Sequence, residues 1–149
     1  MRLVLAADHA GFEMKEFLKE FLQKEHEVLD VGTGSIDPVD YAPISIKAAE
    51  KVAEGSYNSA IIICGTGIGS SIAANKVKGI RAALCHSPVF ARLSREHNDA
   101  NILVLPGRFL ANPTAQEVVE VFLRTEFSNE ERHKRRIEQI KQYEEGEEL

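Results

Sequence analysis

Five short apolar runs punctuate the chain, and helical patterns separate them: Leu3 to Ala7, Val28-Leu29, Ile61 to Cys64, Ile80 to Leu84 and Ile102 to Leu105. Runs of this length, rich in Ile, Val and Leu, read as buried strands. Between the first two, Met14, Phe17, Leu18, Phe21 and Leu22 fall at i, i+3, i+4, i+7 and i+8, so they share one face of an amphipathic helix. Lys15, Lys19 and Glu20 are expected to face water. Ile44, Ala48 and Val52 repeat the spacing before Gly55, as do Ala115, Val118, Val119 and Phe122 after Asn112-Pro113. Asn112 is expected to cap that helix, with Pro113 in its first turn. Strands that alternate with helices pair in parallel, because a parallel connection needs a crossover. The expected architecture is therefore α/β, a parallel five-stranded sheet flanked by helices. Ser128 and Glu131 have capping-box spacing. They are expected to open a C-terminal helix whose Ile137 and Ile140 dock on the body or on a second subunit, before an acidic end, Glu144 to Leu149, that frays.

At 149 residues, 44% of them hydrophobic, the chain can bury a core of its own, and no repeat or composition break divides it, so residues 1–149 are expected to form one domain. A formal charge of -5 argues against a nucleic-acid partner, since phosphate-backbone affinity needs a broad cationic surface. Met1 to Ala7 runs straight into Asp8-His9, with neither signal-peptide anatomy nor the length of a membrane span. A cytoplasmic protein without membrane contact is expected. Cys64 and Cys85 each close an apolar run, which suits reduced thiols better than a disulfide framework.

Ligands of open parallel sheets bind beyond the carboxyl ends of the strands, which draws attention to three loops. These are Asp8-His9-Ala10-Gly11 after the first strand, Cys64-Gly65-Thr66-Gly67-Ile68-Gly69-Ser70-Ser71 after the third, and His97-Asn98-Asp99-Ala100-Asn101 before the fifth. The glycine loop leads into a helix, and its backbone amides form an anion nest. A nucleotide-phosphate loop and a plain tight turn are the alternatives. The dinucleotide spacing G-x-G-x-x-G and the triphosphatase ending G-K-[ST] are both absent. Amide dipoles can lower the pKa of a thiol such as Cys64 from its free value of about 8.5, making it a candidate base. The competing reading is a small apolar core residue, and for Cys85 that reading stands. Asp8-His9 could satisfy local amides, and His97-Asn98 could close the helix that begins near Ser87-Pro88. Jointly, two histidines, a carboxylate, an amide and a thiol are expected at the same edge of one sheet, and that convergence points to a site. Arg132 and Arg136 lie four apart and share a helix face, so two guanidinium forks can hold one phosphate, although such a run is ordinarily a solvated face. Lys134 and Arg135 are expected in solvent.

The chain resembles, over nearly its whole length, the type B ribose-5-phosphate isomerases, a family that includes galactose-6-phosphate and allose-6-phosphate isomerases. The residues that carry the resemblance come in family order: Asp8-His9-x-Gly11, Asp40-Tyr41, Cys64-Gly-Thr-Gly-x-Gly69, Ser71 to Lys76, Gly79 to Ala83, Ser94-Arg-x-His97-Asn98, Gly107-Arg108 and Arg132-His133-x-x-Arg136. The resemblance implies a Rossmann-like fold and a sugar-phosphate substrate. It implies that Cys64 removes a proton beside the carbonyl, that Thr66 supports the thiolate, and that the amides of Gly65, Thr66, Gly67, Ile68, Gly69 and Ser70 hold the enediolate. By the same implication His97 opens the furanose ring and Asp8 and Asn98 orient hydroxyls. His9, Arg108, Arg132 and Arg136 would bind the phosphate. Homodimers or tetramers with sites shared between subunits are implied, with no metal and no redox cofactor. Some family members are similar except for a glutamate at the position of Ser70; the hydroxyl here favours Cys64 as base. Ala42-Pro43 departs from a family pattern that places proline directly after the tyrosine, and Asn129-Glu130-Glu131 stands where glycines are common. The first departure lies near the expected sugar-binding loop and leaves five- and six-carbon substrates both open. A sensor on the same fold would need phosphate donors but no base, and a thiol-redox protein would need a second, resolving cysteine near Cys64.

Overall fold

Strands buried on both faces need apolar side chains at successive positions, not alternate ones. The three central strands meet that condition: β1 (Arg2–Ala7) beyond its first residue, β3 (Ser59–Cys64) and β5 (Ile102–Pro106) are buried throughout. The computed structural model describes residues 1–149. With β2 (Glu27–Asp30) and β4 (Ala82–Leu84) at the edges, the strands form one wholly parallel sheet in the order β2-β1-β3-β5-β4. Six helices complete the chain: α1 (Phe12–Leu22), α2 (Tyr41–Ala53), α3 (Ile68–Ala74), α4 (Pro88–Asn98), α5 (Asn112–Arg124) and α6 (Glu131–Glu144). The fold is α/β and Rossmann-like.

Alternation along the strands sorts the core into two layers. Leu3, Leu5, Ile61, Ile63, Leu103 and Leu105 pack with Leu18 and Leu22 of α1, Ala91 of α4 and Val118 and Phe122 of α5. Val4, Ala6, Ile62, Ile102 and Val104 pack with Ala48, Ala49 and Val52 of α2 and Ala74 of α3. Each fully buried Leu or Ile contributes about 1.5–3 kcal/mol. Since α1 and α2 cover opposite faces, the chain reverses its winding between β1 and β3. A crevice opens there, beyond the carboxyl ends of these two strands.

Several local expectations are corrected. Lys15 does not face water: its side chain is 1% exposed, and its ammonium donates to Asp30 at 2.5 Å and Glu16 at 2.7 Å. Lys19 joins the same two carboxylates, and this ion cluster ties α1 to the end of β2. Strand β4 begins at Ala82, with Ile80 buried in the turn before it. Asn112 is the first helical residue of α5, not its cap; Ala111 precedes it and makes no side-chain cap bond, while Pro113 takes the first turn as expected. The capping box at Ser128 does not form, because Asn129 adopts φ 58 and turns the chain before α6 starts. The Ser128 hydroxyl instead meets His133 Nδ1 at 2.7 Å. Ile137 is buried, Ile140 stays half exposed, and Glu144 accepts the Gly79 amide, so α6 docks on the body at both ends. Ser87 does cap α4, accepting from the Phe90 amide. No helix is long and apolar enough to cross a membrane.

Candidate active site

At the crevice the chain leaves β1 through Asp8, whose amide donates to Ile63 O at 3.3 Å and so draws the loop against β3. The Asp8 carboxylate is buried, and its Oδ1 accepts the amides of Ala10 (3.0 Å) and Gly11 (3.2 Å), holding a 3₁₀ turn over His9–Gly11. His9 projects from that turn, and its Nδ1 accepts the Val39 amide at 3.1 Å. Cys64 is the last residue of β3 and is 4% exposed. The end of β5 is knitted to it: the Gly107 amide donates to Cys64 O at 2.8 Å and the Arg108 amide to Gly65 O at 3.0 Å. The Arg108 guanidinium lies over Gly65, where a Cβ would stand 3.2 Å from Nη1.

The turn after Cys64 requires glycine at one point and is crowded at a second. Gly67 adopts φ 78, and a Cβ there would meet Leu84 Cδ1 at 2.4 Å. A Cβ on Gly69 would stand 2.4 Å from Cζ of Tyr41, whose ring closes over the loop. Thr66 Oγ1 accepts the Ile68 amide at 3.2 Å, and the remaining first-turn amides of α3, on Gly69 and Ser70, have no carbonyl a turn earlier to bond. Ser70 is buried, with its Oγ 2.9 Å from Ser45 Oγ, which in turn donates to Tyr41 O at 2.8 Å. Thiol, carboxylate, imidazole, guanidinium and amides thus share one edge.

His97 and Asn98 lie at the other edge, which corrects the expected convergence. Helix α4 carries the chain back from the end of β4 to the start of β5, so its last turn sits where the strands begin. Arg81, just before β4, confirms the level: its guanidinium donates to the carbonyls of Asn98 (2.9 Å) and Asp99 (2.8 Å). The register from Ala60↔Ile102 to Cys64↔Pro106 spans four steps, which at about 3.3 Å per residue separates the two edges by roughly 13 Å. The His97 ring stacks on His133 with centroids 4.4 Å apart, and His133 is itself buried. Arg132 and Arg136 flank this pair on the exposed side of α6, with Arg132 held by Glu130 at 2.8 Å. The four residues expected to bind phosphate are therefore divided. His9 and Arg108 stand with Cys64; Arg132 and Arg136 stand with His97.

Electrostatics separate the groups further. Burial pushes the Cys85 thiol up to about 11, a contact with Ser94 offsetting this only in part, so Cys85 is the core residue expected. Burial, then the Arg132 charge and His97, hold the pKa of His133 below the ordinary histidine value. A cleft of about 380 Å³ between Arg81, Arg95, Asp99 and Phe122, and one of about 480 Å³ between β4, Ile140 and Tyr143, are both lined without Cys64. Beside the Cys64 loop the surface is apolar instead: Ile68 and Ile72 of α3, Leu84 of β4 and Val89 and Phe90 of α4 are all exposed. The Val39 amide and the buried His133 were not singled out as site features from the sequence. Both depend on contacts between distant segments, and only the Arg132-His133-x-x-Arg136 spacing hinted at the second.

A Rossmann-like α/β fold with a glycine-rich turn and a buried thiol at its switch point defines a class of protein that receives small ligands at that crevice. The ribose/galactose isomerase family model matches residues 3–140. Ribose-5-phosphate isomerase B of Escherichia coli is 39% identical, over 93% of this chain and 93% of its own. Ribose-5-phosphate isomerase B of Clostridium thermocellum superposes with a TM-score of 0.95 at 44% identity, covering 98% of this chain and 99% of that one. The Mycoplasma genitalium enzyme, solved with bound ribulose-5-phosphate, gives 0.92 at 39% identity, covering 97% and 96%. The chain belongs to the type B ribose-5-phosphate isomerase family, and it is an aldose-ketose isomerase.

Proposed function

We propose that the protein interconverts ribose 5-phosphate and ribulose 5-phosphate, or a closely related sugar phosphate, in the cytoplasm, with Cys64 as the base. The observation that carries this reading is the position of Cys64: the last residue of β3, immediately before the amide nest and beside Asp8. In the open-chain aldose the thiolate removes the proton from C2, and the electron pair moves into the C1–C2 bond as negative charge develops on O1. The amides of the Gly65–Ser70 turn face that charge, except that of Ile68, which is already given to Thr66 Oγ1. Return of the proton to C1, with the O2 hydroxyl proton passing to O1, yields the ketose. Thr66 keeps the turn closed, and the free oxygen of Asp8 orients a hydroxyl. Losing one oxyanion donor costs about 2.7–4 kcal/mol in other enzymes, which sets the scale of the nest's contribution.

A second copy of the chain completes each site. The division of the residues between two sheet edges supports this, because it sets His97, Asn98, Arg132 and Arg136 at the edge opposite the Cys64 of their own chain. The exposed apolar side chains of α3, β4 and α4, next to the Cys64 loop, offer a surface for the partner. In the resulting homodimer His97 opens the ring of the sugar bound at the opposite Cys64. Arg132 and Arg136 join His9 and Arg108 around its phosphate. Incubating the protein with a panel of aldose 5- and 6-phosphates, without metal or nucleotide, and following ketose formation tests the assignment. Turnover of ribose 5-phosphate above the six-carbon sugars is expected; phosphate-dependent binding with no turnover of any of them would contradict it.

A further inference from the structure

The segment between β2 and α2 is tied to the body along its first half, where the amides of Val31 and Thr33 donate to Leu5 O and Ala7 O and so extend the β1 edge. Its outer half carries the exposed Ile36 and the internal Ser35–Asp37 bonds, and the Val39 amide bonds it back to the body at His9 Nδ1, at 3.1 Å. A backbone amide can only donate, so the nitrogen it meets must carry a lone pair. A neutral imidazole with a bare Nδ1 has its proton on Nε2. His9 is half-buried on the 3₁₀ turn that Asp8 holds, which fixes the backbone from which the ring projects.

We propose that Val39 is a positioning residue: its amide locks His9 as the Nε2–H tautomer, so that the ring presents a donor to the substrate's phosphate while the outer loop is fastened across the mouth of the site. The inference deepens the assignment of His9 to the phosphate pocket and rests on that reading. It follows that the loop and the anion act on one ring from its two sides. Phosphate strengthens the Nε2–H side, and the amide excludes the tautomer that would turn a lone pair towards the anion.

Long-range proton–nitrogen correlation of the ¹⁵N-labelled protein reads the tautomer directly, with no substrate needed. His9 Nδ1 is expected to resonate as a bare nitrogen and Nε2 as a protonated one, and titration with inorganic phosphate should move Nε2 and leave Nδ1 bare. A protonated Nδ1 in the resting protein would overturn the inference. Val39→Pro removes the amide donor and, next to Pro38, also stiffens the loop backbone; it is expected to give a tautomer mixture and raise KM for the sugar phosphate about five- to tenfold with kcat within twofold. In a His9→Ala background the same change should add less than twofold, because Val39 acts through His9. An equal penalty in both backgrounds would show that the loop acts by another route. His9→Gln, which keeps a donor near the Nε2 position, should bind better than His9→Asn, and it tests the point without altering the loop backbone. Should both bind as the wild type does, the phosphate role of His9 itself would fall even with the tautomer as assigned.

Discussion

The two edges of the sheet are built differently. At the carboxyl edge Asp8, Cys64, Gly65 and Arg108 are fixed by backbone bonds between adjoining strand ends, and the turn between them tolerates no Cβ at Gly67. At the amino edge His97 rests on the buried His133, and Arg132 and Arg136 project from an exposed helix face. The first edge suits the proposed proton transfer, since a base and an oxyanion nest must keep their spacing. The second has long charged side chains suited to gathering a phosphate. Neither holds the whole expected constellation, and that difference is the ground for proposing that the unit of function is a pair of edges from two chains.

The largest effect is expected at the carboxyl edge. Cys64→Ala should reduce kcat by roughly 10²–10⁴-fold, the usual weight of a positioned base, while sugar-phosphate binding and the melting temperature stay close to wild type. Near wild-type turnover would transfer the role of base to Asp8. At the amino edge Arg132→Ala and Arg136→Ala should each weaken phosphate-dependent affinity by about 1.5–3 kcal/mol, the range of charge-assisted hydrogen bonds, whereas Lys134→Ala should do almost nothing. Equal losses at all three would make the run a diffuse electrostatic surface and remove the distinction between the edges.

Away from both edges, Lys15→Met should lower stability to urea by about 1–3 kcal/mol, because Asp30 and Glu16 keep only Lys19 as an ion-pair partner. The sign of the accompanying pH effect follows from Asp30. Burial alone would raise its pKa, but the bonds from Lys15 and Lys19 outweigh burial and hold it below 3.8. A carboxylate depressed in the folded state stabilises above its unfolded pKa and ceases to do so as pH falls through the folded value. Wild-type stability should therefore drop below about pH 4, and Asp30→Asn should flatten that limb at the expense of stability at neutral pH. The smallest effect is expected at Cys85: Cys85→Ala should stay within twofold of wild-type activity, and the thiol should resist alkylation at pH 8, since its pKa lies at about 11.

The strands and the amphipathic helices were legible because burial on one or both faces imposes a period on the sequence. Leu18 and Leu22 lie where the period puts them. Lys15 escaped that logic: its charge reads as a water-facing residue, and pairing with Glu16 and with Asp30, fifteen residues on, satisfies that charge where it is buried. The residues of the site were legible by type, and their division was not. His97 was grouped with Cys64 because it precedes a strand, whereas a parallel crossover brings the chain back to the edge where strands begin. The capping box at Ser128 failed for a similar reason, since spacing alone could not show that Asn129 would turn left-handed and send the hydroxyl to His133.

The shared site is tested most directly by mixing subunits. A Cys64→Ala chain and a His97→Ala chain should each be inactive as homodimers. A heterodimer of the two should contain one site with both residues intact and one lacking both, so exchange should restore up to half of the wild-type activity per heterodimer. Exchange verified by mass spectrometry, with activity still absent, would contradict the shared site and place both residues of each site in one chain.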